Sequence, residues 1–230
     1  MPAPELALGT VRSGGEELAV LLRDGRLLDL ASAAVELGLR APLTVRDVLE
    51  AWDRVEPLLR DLDGTWLELD DVTVLAPVVP RQVVQAGANY RTHVLDLAVK
   101  HAPAGADVDE VRAEAARMMD QRAATGEPYF FLGLPTVVSG PDDEVVLPAI
   151  SEQHDWELEL AVVIGRTASH VTPESALAHV AGYTIVNDLT TRDLVFRRDM
   201  PEIGTDWFRA KNSPGFLPLG PWIVPASAGP

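Results

Sequence analysis

The sequence predicts an α+β protein, and three observations lead to this class. Short apolar runs bounded by turn residues recur along the chain, as expected of β-strands. Three or four other stretches carry apolar residues at helical spacing instead. The strands are irregularly spaced among these helices, whereas a parallel α/β fold would alternate strand and helix regularly.

The composition limits the partners that the protein can have. The 230 residues carry a net charge of -16, so we expect no nucleic-acid partner and no docking on anionic membranes. The absence of cysteine excludes disulfides, thiolate metal sites and a cysteine nucleophile. No apolar run approaches the roughly 20 residues that span a bilayer, and the N-terminus lacks the features of a signal peptide. We therefore expect a soluble, cytoplasmic protein.

The first part of the chain, residues 1–78, is predicted to be a small α+β domain that opens with a hairpin. The apolar runs 17–22 and 26–30 have strand character. They are separated by an Asp-Gly dipeptide at 24–25, which favours the tight turn of a hairpin. A further strand is predicted over 66–74.

A helix is predicted between these strands. Thr44 and Asp47 have the spacing of a capping box. The apolar residues that follow at helical spacing are Val48, Trp52, Val55 and Leu59. Pro77 and Pro80 then mark a domain boundary. No side chains before this boundary form a catalytic pattern.

The second predicted domain, residues 79–230, begins with a short strand over 83–86. If the chain is helical from Tyr90, His93 and Asp96 lie three residues apart on one helix face and can interact. A carboxylate beside a histidine raises its basicity and fixes its tautomer, as a general base requires. Such pairs are also common on surface helices that have no catalytic role.

Four further elements are predicted from local patterns. An amphipathic helix is expected over 108–124 and a strand over 145–147. A helix is expected to begin at Thr172 and to end before Gly182, and a strand follows over 184–186.

The most informative stretch is the predicted strand within residues 155–165. Alternation places Glu157 and Glu159 on one face, beside Ala161 and Val163. The opposite face is apolar and consists of Leu158, Leu160, Val162 and Ile164. Two like charges beside an apolar surface repel each other, and a hard divalent cation between them would relieve this repulsion. The alternative is a solvated strand end whose carboxylates pair with surface lysine or arginine.

Several segments, taken together and in order, resemble the fumarylacetoacetate hydrolase family. They are Gly-Ala-Asn-Tyr-Arg-Thr-His at 87–93, Asp-Trp-Glu-Leu-Glu-Leu-Ala-Val-Val-Ile-Gly at 155–165, Ala-Gly-Tyr-Thr at 181–184, Asn-Asp at 187–188, Arg-Asp at 192–193, Ala-Lys at 210–211 and Pro-Leu-Gly-Pro-Trp at 218–222. The first 78 residues are similar to the small N-terminal domain of two-domain bacterial members.

This resemblance implies a catalytic domain of the mixed β-sandwich or roll type, the small α+β domain before it, and a homodimer. It also implies an oxygen-only site for Mg²⁺, Mn²⁺ or Ca²⁺ formed by Glu157, Glu159 and Asp188. Carboxylates suit such hard cations, in agreement with the argument from the strand. By itself, Asp188 would be an ordinary turn residue after Asn187.

The resemblance also implies catalytic residues. The family's water-activating histidine corresponds to His93, its acidic companion to Asp96 and its active-site lysine to Lys211. The implied enzyme is a metal-dependent hydrolase that cleaves the carbon–carbon bond of a 2,4-dioxo acid through a metal-stabilised enolate. The alternatives are an oxaloacetate-type decarboxylase, a hydratase, isomerase or tautomerase of 2-oxo acids, and a non-enzymatic inactive subunit or interaction module.

Two cationic residues in these segments also have ordinary structural interpretations. Lys211 is either partly buried beside aromatic neighbours or solvated. Arg192 either contacts substrate or pairs with Asp193 or Glu159.

The chain departs from the family pattern at four points. Asp96 stands where members commonly have Glu, Gly133 where many have Lys, and Val195 where some have Gln. The sequence ends at Pro230, before the family's last strands, so the catalytic domain is expected to be C-terminally incomplete relative to the family.

Overall fold

The computed structural model of the protein describes residues 4–228 and contains both helices and sheets, which confirms the predicted α+β class. Within this described range two compact units are present: one comprises the residues up to Arg81 and those from Leu134 onward, and the other is Gln82–Gly133. The domain boundary after residue 78 stays a prediction. Within the described part of the chain, no helix combines the length and the apolar character that crossing a membrane requires.

The regular elements are short. The strands are β1 (Leu6–Ser13), β2 (Glu16–Arg23), β3 (Arg26–Asp29), β4 (Trp66–Leu67), β5 (Thr73–Val74), β6 (Val83–Gly87), β7 (Tyr129–Gly133), β8 (Val138–Ser139), β9 (His154–Asp155), β10 (Leu158–Ile164), β11 (Val180–Asn187), β12 (Thr190–Thr191), β13 (Leu217–Pro218) and β14 (Val224–Pro225). The α-helices are α1 (Val45–Glu50), α2 (Trp52–Val55), α3 (Arg91–Lys100), α4 (Val108–Thr125), α5 (Pro173–Ala176) and α6 (Trp207–Lys211).

The first unit contains a five-stranded antiparallel sheet with the strand order β4-β3-β2-β1-β5. β2 and β3 form the predicted hairpin, whose Asp24 and Gly25 adopt the positive φ values of 51° and 79° that a tight turn needs. The sequence does not predict β1, because Gly9 interrupts its apolar run. Glycine is needed there, since a Cβ would lie 2.4 Å from the ring of Trp222. One face of this sheet contributes a buried apolar cluster of Ala7, Val11, Val20, Leu22 and Leu27.

Two predicted elements of this region are interrupted in the structure. The stretch 66–74 forms β4 and β5 rather than one strand, because the acidic residues between them make a 3₁₀ turn at Leu69–Asp71. The helix after Thr44 has the predicted capping box, but it breaks at Ala51 between α1 and α2. Leu59 therefore reaches the core from beyond the helix.

Two predictions for the later part of the chain are wrong. Residues 145–147 form no strand, because no neighbouring strand of the described chain pairs with them. The helix predicted from Thr172 to Gly182 is limited to α5 and one 3₁₀ turn. β11 begins at Val180 instead, since its β-branched and aromatic residues pair with β10.

The three-stranded antiparallel sheet β10-β11-β14 carries the predicted metal ligands. β10 is an edge strand that pairs with β11 along its whole length. As predicted, Glu159 lies on the opposite face from the apolar residues of β10. Reciprocal backbone hydrogen bonds of 2.8 Å between Leu8 and Ile223 join the segment before β14 to β1.

Residues 82–133 form the other unit, a two-stranded sheet of β6 and β7 with the helices α3 and α4. The amphipathic helix predicted over 108–124 is confirmed as α4, and Asp107 caps its first turn. The two helices pack through Leu95, Ala115 and Met119.

Candidate metal centre

Two antiparallel strands bring the three predicted ligands to one end of a sheet. Glu157 directly precedes β10, Glu159 lies within it, and Asp188 directly follows β11. Because the strands are antiparallel, the start of β10 lies beside the end of β11. The N–H of Asp188 donates to the carbonyl oxygen of Glu157 at 2.9 Å. The N–H of Glu157 donates to the side-chain oxygen of Asn187 at 3.0 Å.

The carboxylate cluster, defined as Glu157, Glu159 and Asp188, has the chemistry of a hard-cation site. Each side chain offers one oxygen, and these oxygens lie within 4.8 Å of one another. Asp188 is buried, and the two glutamates are partly buried. Within residues 4–228, no other group of three or more acidic, histidine or cysteine side chains has this geometry. The all-oxygen donor set fits Mg²⁺, Mn²⁺ or Ca²⁺.

Lys211 is buried against the carboxylate cluster, at the last residue of α6. Its side chain is 3% exposed, and its Nζ donates to Glu157 Oε2 at 2.7 Å and to Asp188 Oδ2. The centroid of the Trp207 ring lies 5.8 Å from Nζ, within the range of a cation–π interaction. Lys211 is therefore a buried, ion-paired lysine and not a solvated one.

These surroundings move the pKa values of the two glutamates in opposite directions. Burial would raise the pKa of Glu157, but the charges and hydrogen bonds of Lys211 and Arg192 outweigh burial and lower it. Burial, followed by the charges of Asp188 and Glu157, raises the pKa of Glu159 to about 7, against the opposing charge of Lys211. Glu159 thus holds its proton up to near-neutral pH unless a further cation compensates its charge.

Arg192 connects Glu157 with Asp155 and not with Asp193 or Glu159, the partners expected from the sequence. Its Nη2 lies 2.6 Å from Glu157 Oε1 and 2.8 Å from Asp155 Oδ2. Sequence reasoning assigns no function to Asp155. A signal for it exists, because in an extended chain Asp155 shares its side with Glu157 and Glu159.

The predicted histidine–aspartate pair lies on α3, in the unit of residues 82–133. His93 and Asp96 are three residues apart on this helix, and the Asp96 carboxylate accepts a hydrogen bond from Arg112 Nη2 at 2.7 Å. The catalytic role of the pair stays a prediction. The side chains that the structure brings together are those of Glu157, Glu159, Asp188 and Lys211.

One end of the three-stranded sheet therefore carries three converging carboxylates and a buried lysine, an arrangement suited to a metal-dependent enzyme. Residues 82–230, which include this centre, match the family described as Fumarylacetoacetate (FAA) hydrolase C-terminal. Because the match covers more than half of the 230 residues, the chain belongs to the fumarylacetoacetate hydrolase family. The family predicted from the sequence segments is thereby confirmed.

Relatives with different printed activities match this chain. Human mitochondrial oxaloacetate tautomerase FAHD2B is 37% identical over 159 residues, which are 69% of this chain and 42% of the relative. The 2,4-didehydro-3-deoxy-L-rhamnonate hydrolase of Sphingomonas sp. (strain SKA58) is 44% identical over 98 residues, 43% of this chain and 33% of that protein. The solved fumarylacetoacetate hydrolase of Exiguobacterium antarcticum superposes with a TM-score of 0.64 at 27% identity, covering 98% of this chain and 68% of that one. The chain spans about half the length of the curated relatives that it matches.

Proposed function

We propose that the protein is a divalent-metal-dependent enzyme that acts on a 2-oxo or 2,4-dioxo acid. The carboxylate cluster is the observation that most supports this proposal, because three acidic side chains converge there with no soft ligand among them. Glu157, Glu159 and Asp188 would hold the ion, for which Mg²⁺ is the first choice and Mn²⁺ or Ca²⁺ the alternatives. When bound, the cation would supply Lewis-acid stabilisation of an enolate charge.

The proposed reaction is hydrolysis of a carbon–carbon bond in an acylpyruvate or a fumarylacetoacetate-like acid. Water adds to the C4 carbonyl carbon, and the bond between C3 and C4 then breaks. Its electron pair becomes the enolate of the 2-oxo acid, which takes up a proton at C3. The hydrolase names of the Sphingomonas and Exiguobacterium relatives support this class of reaction.

Three side chains would carry the proton and charge movements of this reaction. Lys211 would stabilise the oxyanion that develops at the attacked carbonyl, because its buried ammonium is a charged donor beside the carboxylate cluster. His93 would take the proton from the attacking water, and Asp96 would orient its imidazole. The roles of His93 and Asp96 are supported by the family resemblance.

A second candidate is the tautomerisation or decarboxylation of oxaloacetate. The human oxaloacetate tautomerase, 37% identical over 159 residues, favours it. Both reactions pass through an enolate beside a carboxylate, so they would use the same cluster, but neither requires an attacking water. Hydration or isomerisation of a 2-oxo acid is a further possibility within the family. From the family resemblance we also propose a homodimer, and we propose a cytoplasmic location.

Calorimetric titration with Mn²⁺ tests the metal-dependent proposal. The wild-type protein should bind the ion, and Glu159→Gln should weaken binding at least tenfold, because the amide keeps the shape of the side chain and removes its charge. Glu152→Gln, a change at an exposed glutamate outside the cluster, is the matched control and should bind as the wild type does. Unchanged affinity in Glu159→Gln would reject the metal assignment, and an interaction module would have no reason to bind the ion.

His93 separates hydrolysis from the decarboxylation of oxaloacetate. His93→Ala should slow pyruvate release from acylpyruvates by about 10²- to 10⁴-fold, the usual contribution of general-base assistance. Decarboxylation of oxaloacetate should fall far less, because no water has to be activated. Equal losses on the two substrates would contradict a general-base role for His93.

A further inference from the structure

The hydrogen bonds of Asp155, a residue outside the carboxylate cluster, connect it to that cluster. Its Oδ1 accepts from the N–H of Trp156 at 3.0 Å. Its Oδ2 accepts from Nε and Nη2 of Arg192 at 2.9 Å and 2.8 Å. The Asp155 carboxylate is therefore anchored to the backbone on one side and holds a guanidinium group on the other.

Arg192 extends this arrangement to Glu157. Its Nη2 also donates to Glu157 Oε1 at 2.6 Å, while its backbone N–H donates to the carbonyl oxygen of Gln153 at 2.8 Å. Because a guanidinium group is planar and rigid, fixing it against Asp155 also fixes the direction of its contact with Glu157. The other oxygen of Glu157 is held by Lys211, so two cations determine the orientation of this carboxylate.

We infer that Asp155 is a positioning residue, which acts through Arg192 to orient the Glu157 carboxylate for metal binding. This inference rests on the proposed metal function of the carboxylate cluster. Without the Asp155 charge, the Arg192 guanidinium would lose the partner that fixes its direction. The Glu157 carboxylate would also lose its fixed direction.

Asp155→Asn tests the inference, because it removes the charge and keeps the size of the side chain. We expect an Mn²⁺ affinity about tenfold weaker in calorimetry, as is typical when a group that orients a metal ligand is lost. Asp199→Asn is the matched control: Asp199 also accepts two bonds from an arginine, Arg197, at 2.9 Å and 2.8 Å, but lies outside the cluster. The Mn²⁺ affinity of Asp199→Asn should stay within about twofold of that of the wild type.

A double-mutant cycle tests the route through Arg192. Arg192→Met should weaken Mn²⁺ binding by a similar factor. When Asp155→Asn is added to Arg192→Met, the Mn²⁺ affinity should fall by less than about a further twofold. Additive losses would overturn the route through Arg192. If Asp155→Asn does not fold, Arg192→Met decides alone, since wild-type affinity in that variant would overturn the inference.

The outcomes separate this inference from the proposed function. A wild-type protein that binds no Mn²⁺ would overturn both. Normal binding by the wild type, loss in Glu159→Gln and unchanged binding in Asp155→Asn would leave the metal centre intact and overturn the positioning role alone.

Discussion

The five-stranded sheet and the three-stranded sheet of the larger compact unit differ in the kind of side chain that they bury. In the five-stranded sheet the buried side chains are apolar, and Val20 and Leu22 are completely inaccessible. In β10 the apolar side chains are the exposed ones: Leu158, Leu160, Val162 and Ile164 are 63%, 59%, 51% and 55% exposed. The face with Glu159 is partly buried instead.

This difference shows what a strand pattern does and does not predict. Alternation identifies the side chains that share a face, but not the face that packs against the rest of the protein. In β10 the face of Glu159, Ala161 and Val163 is turned inward. At the start of this face, Lys211 and Asp188 meet the glutamates. The stability of this region should therefore depend on charge balance more than on apolar burial.

The largest expected effect is that of removing the buried cation. In metal-free protein, Lys211→Met should lower the free energy of unfolding by about 3–5 kcal/mol, because the buried Asp188 carboxylate would lose its ammonium partner. Urea denaturation in the presence of a chelator measures this. Lys100→Met, at an exposed position, is the control and should cost less than about 0.5 kcal/mol. A loss below about 1 kcal/mol for Lys211→Met would mean that charge balance does not hold the region together.

A matched pair of leucine truncations tests the comparison directly. Leu22→Ala should cost about 3 kcal/mol, because it leaves a cavity in a closed core. Leu160→Ala should cost less than about 1 kcal/mol, because its side chain already faces solvent. The same urea experiment serves for both. Similar losses at the two positions would show that the apolar face of β10 is covered in solution.

The smallest expected effect is the dependence of stability on the titration of Glu159. The pKa of Glu159 lies at about 7 in the folded state, above the ordinary value of 4.5. Between these values the folded protein binds the proton more tightly than the unfolded chain does, so stability is lost as the pH rises through this window. Each tenfold difference in proton affinity between the folded and unfolded states corresponds to about 1.4 kcal/mol of stability. Because Glu159 is partly exposed, we reduce its total contribution to about 2 kcal/mol.

Thermal unfolding of metal-free wild type and Glu159→Gln between pH 4.5 and 7 measures this contribution. Groups outside the carboxylate cluster titrate equally in both proteins, so the difference between the two curves isolates Glu159 together with the carboxylates whose charges act on it. Parallel curves would contradict the raised pKa.

Elements with a local cause could be predicted from the sequence. The turn at Asp24 and Gly25 needs positive φ values, and the capping box of Thr44 and Asp47 is a short-range hydrogen-bond exchange. The common face of Glu157 and Glu159 likewise follows from alternation. The family resemblance added Asp188 to this pair, and the structure brings the three together.

Features that depend on distant contacts could not be predicted in this way. Arg192 meets Asp155 across 37 positions of the chain, and Lys211 meets Glu157 across 54. Local patterns do not select one partner among the 35 acidic residues. The exposure of the apolar β10 face has the same origin, since it depends on which segments pack against the sheet.

The contact between Trp207 and Lys211 connects the carboxylate cluster with a fluorescent side chain. The ammonium lies 5.8 Å from the centre of the indole ring, so the ring experiences the field of a fixed positive charge. A cation that enters the carboxylate cluster changes that field, and any shift of the lysine changes it further. Trp207 is one of five tryptophans, so we expect a cation that binds the carboxylate cluster to change part of the protein's fluorescence even in the absence of any substrate.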